Sequence, residues 1–104
     1  MQQDSLFHPM MKVIDNVVWQ TEGSIVLARQ DDMVLGKKTA ERYLFRTANG
    51  QFFEQIHHAG LGKSNKLSSD DLKPLDAKDA LKKYATFKIK YLSPADAFPD
   101  ARQA

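Results

Sequence analysis

Asn49-Gly50 lies between two aromatic runs, Tyr43-Leu44-Phe45-Arg46 and Phe52-Phe53-Glu54-Gln55-Ile56. Asn-Gly is the preferred pair for a type I′ turn, whose two central residues both need positive φ. The pattern therefore predicts an antiparallel hairpin, and a two-residue loop would set its register. Arg46 would lie opposite Phe53, Leu44 opposite Gln55, and Arg42 opposite His57. Because strand side chains alternate between faces, one face would gather Arg42, Leu44, Arg46, Phe53, Gln55 and His57. The other would hold Tyr43, Phe45, Phe52 and Ile56, with Thr47 and Glu54, as a mainly apolar core side.

Other turn and strand signals extend the same architecture. Val17–Glu22 and Ile25–Gln30 are rich in β-branched residues and flank Gly23-Ser24, which suits a type II′ hairpin placing Trp19 opposite Ala28. Asp31-Asp32 reads as a turn, and Met33–Leu35 as a short strand before a reversal at Gly36-Lys37-Lys38. Polar residues from His57 to Ser69, with Gly60 and Gly62, read as a loop. Asp76 is an N-cap for a helix over Ala77–Ala85, with Ala77, Ala80, Leu81 and Tyr84 inward and Lys78, Lys82 and Lys83 outward. Phe87, Ile89 and Tyr91 alternate with Lys88 and Lys90 as a half-buried strand. Ser93-Pro94 opens a last helical turn.

The expected fold is α+β: a small antiparallel, meander-like sheet of four to six strands packed against one C-terminal helix. Residues 1–10 read as a loosely ordered arm, 11–92 as a single domain and 93–104 as a C-terminal tail. With 104 residues, 42% apolar and ten of them aromatic, the chain can bury roughly two thirds of its unfolded surface in one core.

Several chemistries are excluded by composition. No cysteine is present, which removes disulfides, thiolate metal sites and thiol catalysis. Gly60-Leu61-Gly62-Lys63-Ser64 lacks the earlier glycine of a phosphate loop, since His57 stands there, and no helix signal follows. His57 and His58 are adjacent, hence on opposite faces of a strand, and complete no ligand set. Asp31-Asp32 and Asp70-Asp71 sit in turn contexts and suggest no acid–base pair. No catalytic residue, metal or cofactor is expected. No export signal or spanning apolar stretch is seen, so the expectation is a cytoplasmic protein with no membrane role.

Net charge is only +2, a weak footprint for nucleic acid. From Gly60 to Lys90, however, eight lysines face four aspartates, and Lys63, Lys66, Lys82 and Lys83 are candidate anion contacts. Arginine and aromatic side chains carry much of the energy at interfaces. The leading expectation is thus a non-enzymatic accessory or inhibitor-type module. It would bind a protein partner or a second copy of itself through the Arg42/Leu44/Arg46/Phe53 face or an open strand edge. Nucleic-acid binding by that face plus the lysines is the first alternative. A ligand-binding or enzymatic site around His57 and Gly60–Ser64 is the second.

Overall fold

A computed structural model describes residues 9–58 and 70–101. Among them are strands β1 (Met11–Ile14), β2 (Val17–Gln20), β3 (Ile25–Val34), β4 (Lys37–Arg46), β5 (Phe52–His58), β6 (Asp70–Leu75) and β7 (Ile89–Lys90). Helix α1 (Ala77–Thr86) lies between β6 and β7, and α2 (Pro94–Ala97) follows. Five strands form one antiparallel sheet in the order β6-β5-β4-β3-β7. Consecutive strands β3 to β6 make a meander, and α1 carries the chain from one edge to the other. The α+β expectation holds. Strands β1 and β2 form a separate two-stranded sheet.

The large sheet is covered on both faces. On one, Leu27, Ala28, Leu44 and Phe52 pack with Ala80 and Tyr84 of α1, with Phe87, and with Ala97 and Phe98. On the other, Val26, Tyr43, Phe45, Phe53 and Leu72 pack beneath Ile14 and Trp19 of the small hairpin, with Met10 and Tyr91 alongside. Phe53 stacks on Phe45 at 4.8 Å and takes the edge of Trp19 at 6.1 Å. Three layers result from a chain of ordinary single-domain length.

The helix signals appear as expected. Asp76 Oδ1 accepts from the Asp79 N–H at 2.8 Å, and Ser93 Oγ accepts from the Asp96 N–H with Pro94 in the first turn. Both satisfy amide groups that a helix start leaves without partners. The stretch read as a tail supplies Ala97 and Phe98 to the core. Leu81, expected inward, is 41% exposed.

Three turn assignments change. First, β2 pairs with β1 (Lys12 opposite Trp19, Ile14 opposite Val17) and not with Ile25–Gln30. Asp15 and Asn16 both take positive φ, 52° and 66°, a two-residue type I′ turn in residues that tolerate the left-handed region. At Gly23-Ser24 the chain instead crosses between sheets, tied by the Ser24 hydroxyl donating to the Gln20 carbonyl at 2.8 Å. Second, Asp31-Asp32 is no turn. β3 runs straight through it because Arg29 pairs with Asp31 at 2.9 Å and Arg42 with Asp32 at 2.8 Å. The reversal falls at Leu35-Gly36, φ 51° and 81°.

Third, the Asn49-Gly50 loop has three residues. The Thr47 N–H donates to the Gln51 carbonyl at 2.7 Å, and the Gly50 N–H to the Thr47 carbonyl at 2.9 Å. Of the turn residues only Gly50 has positive φ, 84°. This is a type I turn closed by a glycine bulge. The Thr47 hydroxyl accepts from the N–H groups of Asn49 and Gln51, local bonding that competes with the tighter turn. The register therefore slips by one: Arg46 opposes Phe52, Leu44 opposes Glu54, and Arg42 opposes Ile56.

Two smaller departures shape the edges. Leu27 is an extra residue on β3, with Val26 paired to Phe45 and Ala28 to Leu44, so both Leu27 and Ala28 serve the helix side. At the C-terminal edge, Phe87 caps α1 and joins the helix-side core while Tyr91 packs on the opposite layer. Only Ile89 and Lys90 remain as strand, and the expected three-residue alternation is lost. His57 and His58 extend β5 and are not loop.

Candidate functional site

A one-residue slip turns every side chain of one strand to the other face. The expected contact face is accordingly divided. Arg42, Leu44 and Arg46 lie on the helix side, whereas Phe53, Gln55 and His57 lie on the hairpin side. Leu44, Phe53 and Gln55 are fully buried. The six residues form no common surface, so the arginine-aromatic face is corrected.

Each charged member instead has a place in the fold. Arg42 donates to Asp32 at 2.8 Å and to Glu54 at 3.2 Å. The bond to Asp32 does most to raise the Arg42 pKa, against the effect of partial burial, and the Glu54 bond adds to it. Glu54 is wholly buried and pairs through its second oxygen with Lys83 of α1 at 3.2 Å. A buried carboxylate needs such partners, because removal from water costs several kcal/mol per ion. Arg46 donates to the Asp96 and Ala97 carbonyls at 2.8 and 2.7 Å, fastening α2 to the sheet.

On the hairpin side, Asp31, Glu41, His57 and Asp70 stand in register across four strands. His57 Nδ1 lies 2.7 Å from Asp70 Oδ1, and Gln55 donates to the other oxygen at 2.8 Å. Tyr43 donates to Glu41 at 2.5 Å. Burial first, then that bond and the Glu41 charge, push the Tyr43 phenol well above its ordinary pKa. Among the described residues no group of three His, Asp or Glu side chains could hold a metal ion, and no helix is long and apolar enough to cross a membrane.

Of the four candidate anion contacts, Lys63 and Lys66 lie outside the described residues, as does Gly60–Ser64. Lys82 and Lys83 line a cleft of about 580 Å³ between α1 and β6, together with Lys73 and Asp79. Lys83 is already engaged by Glu54 beneath it.

Two surface features escaped the sequence reading. One is the distal end of the β3–β4 ribbon. β5 covers β4 only from Ala40 onward, and β7 covers β3 only at Ala28 and Arg29. Among the described residues, 33–38 thus stand out as a two-stranded arm. Cross-strand pairs brace its base, Arg29 with Glu41, Lys38 with Asp31 and Arg42 with Asp32, and Lys38 also pairs with Glu41 along β4. Its end carries Met33, Val34 and Leu35, exposed by 55%, 56% and 97%. Leu35 occupies the first left-handed position of the turn, where Asn, Asp or Gly is ordinary. The available signal was an apolar run ending directly on Gly36. The second feature is a pocket of about 180 Å³ where the Gly50 turn meets α1 and α2, lined by Phe52, Leu81 and Phe98 with Arg46 at its rim. Its signal lies in residues 93–101, which the sequence pattern reads as tail.

The arm offers an apolar end, the pocket a single-ring hollow beside a cation, and the cleft a shallow basic wall. No family model, curated protein or solved structure matches the chain.

Proposed function

We propose that the protein is a non-enzymatic protein-binding module of accessory or inhibitor type that makes contact through the end of its β3–β4 arm. One observation carries this reading: Leu35 is 97% exposed at φ 51°. A bulky residue in the left-handed region costs about 1 kcal/mol or more. An exposed leucine gains nothing within the fold to offset that cost. Departures from local preference without internal compensation are expected where function demands them. Met33 and Val34 beside it enlarge the apolar end, and the braced ribbon keeps it presented at little cost in chain entropy on binding. The nucleic-acid alternative loses Phe53 as a stacking surface, since that ring is in the core, and among the described residues it keeps the lysines of the cleft.

A photo-crosslinking side chain placed at Leu35, with Lys78 on the far helix surface as control, tests the reading in cell extract and with the purified chain. A discrete adduct from position 35, absent from position 78 and lost on Met33→Ser/Val34→Thr, is the expected result. An adduct of twice the chain mass would identify a second copy as the partner. Equal or no labelling from the two positions defeats the proposal.

A further inference from the structure

The pocket beside Arg46 lies at the opposite end of β4 from the arm, about 30 Å away at the usual strand rise, and stands independently of the function proposed above. Its volume of about 180 Å³ is too small for a cofactor, whose sites run from about 300 Å³ upward. It is close to the roughly 150 Å³ cavity that holds a benzene ring. Phe52, Leu81, Phe98 and Pro99 supply its apolar walls. Phe52 and Phe98 are 5.2 Å apart and both belong to the core, so these walls are fixed before anything binds.

The rim is polar in a specific way. Arg46 directs one terminal nitrogen at two carbonyls at the end of α2, which fixes the plane of the guanidinium. No protein acceptor among the described residues takes its other N–H groups. A planar guanidinium held in this way presents a remaining edge suited to a carboxylate. Asp100 lies on the same rim and makes no ion pair with Arg46. An apolar floor for one ring, a fixed cation and a separate carboxylate together match one class of ligand. We infer that this pocket binds a hydrophobic amino-acid unit, a ring or branched side chain in the hollow with its carboxylate on Arg46. That unit has two sources, a free α-amino acid, whose ammonium group Asp100 would receive, or the C-terminal residue of another chain.

Amide-resolved NMR titration of the whole protein with three probes tests this, with Gly50, Leu81 and Ala101 as reporters. L-phenylalanine carries both charges, N-acetyl-phenylalanine only the carboxylate, and phenylalaninamide only the ammonium. Saturable shifts at the reporters with a carboxylate probe are expected, with the amide at least about tenfold weaker, as loss of a charge-assisted hydrogen bond implies. Arg46→Gln and Leu81→Glu should each abolish them. The second variant alters a half-exposed helix position and keeps the test valid if loss of Arg46 unfolds the chain. Tighter binding of free phenylalanine, weakened by Asp100→Asn, assigns a free amino acid. Tighter binding of the acetylated form assigns a chain terminus. Equal affinity for acid and amide, shifts that survive Leu81→Glu, or no saturation into the high millimolar range overturns the inference.

Discussion

The two halves of the β3–β4 ribbon share one antiparallel ladder and differ in what holds them. In the proximal half, Val26, Leu27, Ala28, Tyr43, Leu44 and Phe45 are all buried between the helix layer and the small hairpin. In the distal half, Met33 and Val34 have no covering layer among the described residues, and ion pairs at its base do the bracing. Backbone pairing is therefore not what distinguishes a structural strand from a presented one here. Side-chain burial of about 1.5–3 kcal/mol per large apolar residue stabilises the first half. Partly exposed ion pairs, each of about 1 kcal/mol or less where water reaches them, brace the second. Stability should concentrate in one half, leaving the other able to change without unfolding the protein.

Substitution tests that contrast most sharply. Phe53→Ala, in the proximal core, should cost about 3–5 kcal/mol in chemical denaturation. A loss as small as that of Val34→Ala would break the comparison. Next in size is the buried charge that joins the proximal sheet to α1. Arg42→Met/Lys83→Met leaves Glu54 in the interior without either cation, and about 3 kcal/mol should be lost, most of it recovered by adding Glu54→Leu. No recovery would show that the two cations, and not the carboxylate, hold that layer.

A smaller effect is expected at alkaline pH. The folded pKa values of Tyr43 and Tyr84 are both raised, by burial in each case and also by Glu41 for Tyr43. Their contribution to stability is fully present below the ordinary tyrosine value of about 10. It is lost as pH rises through the folded values. Thermal melts of Tyr43→Phe should show a shallower alkaline decline than the parent, and identical slopes would remove Tyr43 from the account. Smallest, and opposite in sign, is the change at the arm. Leu35→Asn relieves the left-handed backbone and should raise stability by up to about 1 kcal/mol while weakening capture of the partner by a crosslinking side chain moved to Val34. Destabilisation would mean that Leu35 serves the fold after all, which sinks the case for a presented residue.

Legibility in the sequence followed the range of the forces involved. Asp76 and Ser93 were readable as caps because a cap is made within three residues of itself. The reversal near Gly36 was readable for a similar reason. The partner of β2 was not. Val17–Gln20 is compatible with a strand on either side, and only the left-handed Asp15-Asn16 pair, together with Ile14 and Trp19 packing on Phe53 and its neighbours, selects β1. The contact surface was least legible of all. It depended on a register that changed by one residue when Thr47 bonded its own turn, and with it Phe53, Gln55 and His57 moved to the other side from Arg42, Leu44 and Arg46. Glu54 had one visible sign, a lone acid inside an aromatic run, but nothing local indicated the lysine seven places along α1 that neutralises it.

What the amino-acid order determined by itself was a cysteine-free, antiparallel α+β chain with its helix starts and most of its strand segments in place. These depend on neighbours a few residues apart. Which strands pair, which face each side chain takes, where Arg46 and Phe98 meet, and which apolar residues are left outside were decided only in three dimensions. Those outcomes arise from packing and hydrogen bonds between segments tens of residues apart, where a single extra loop residue outweighs the whole pattern of a strand.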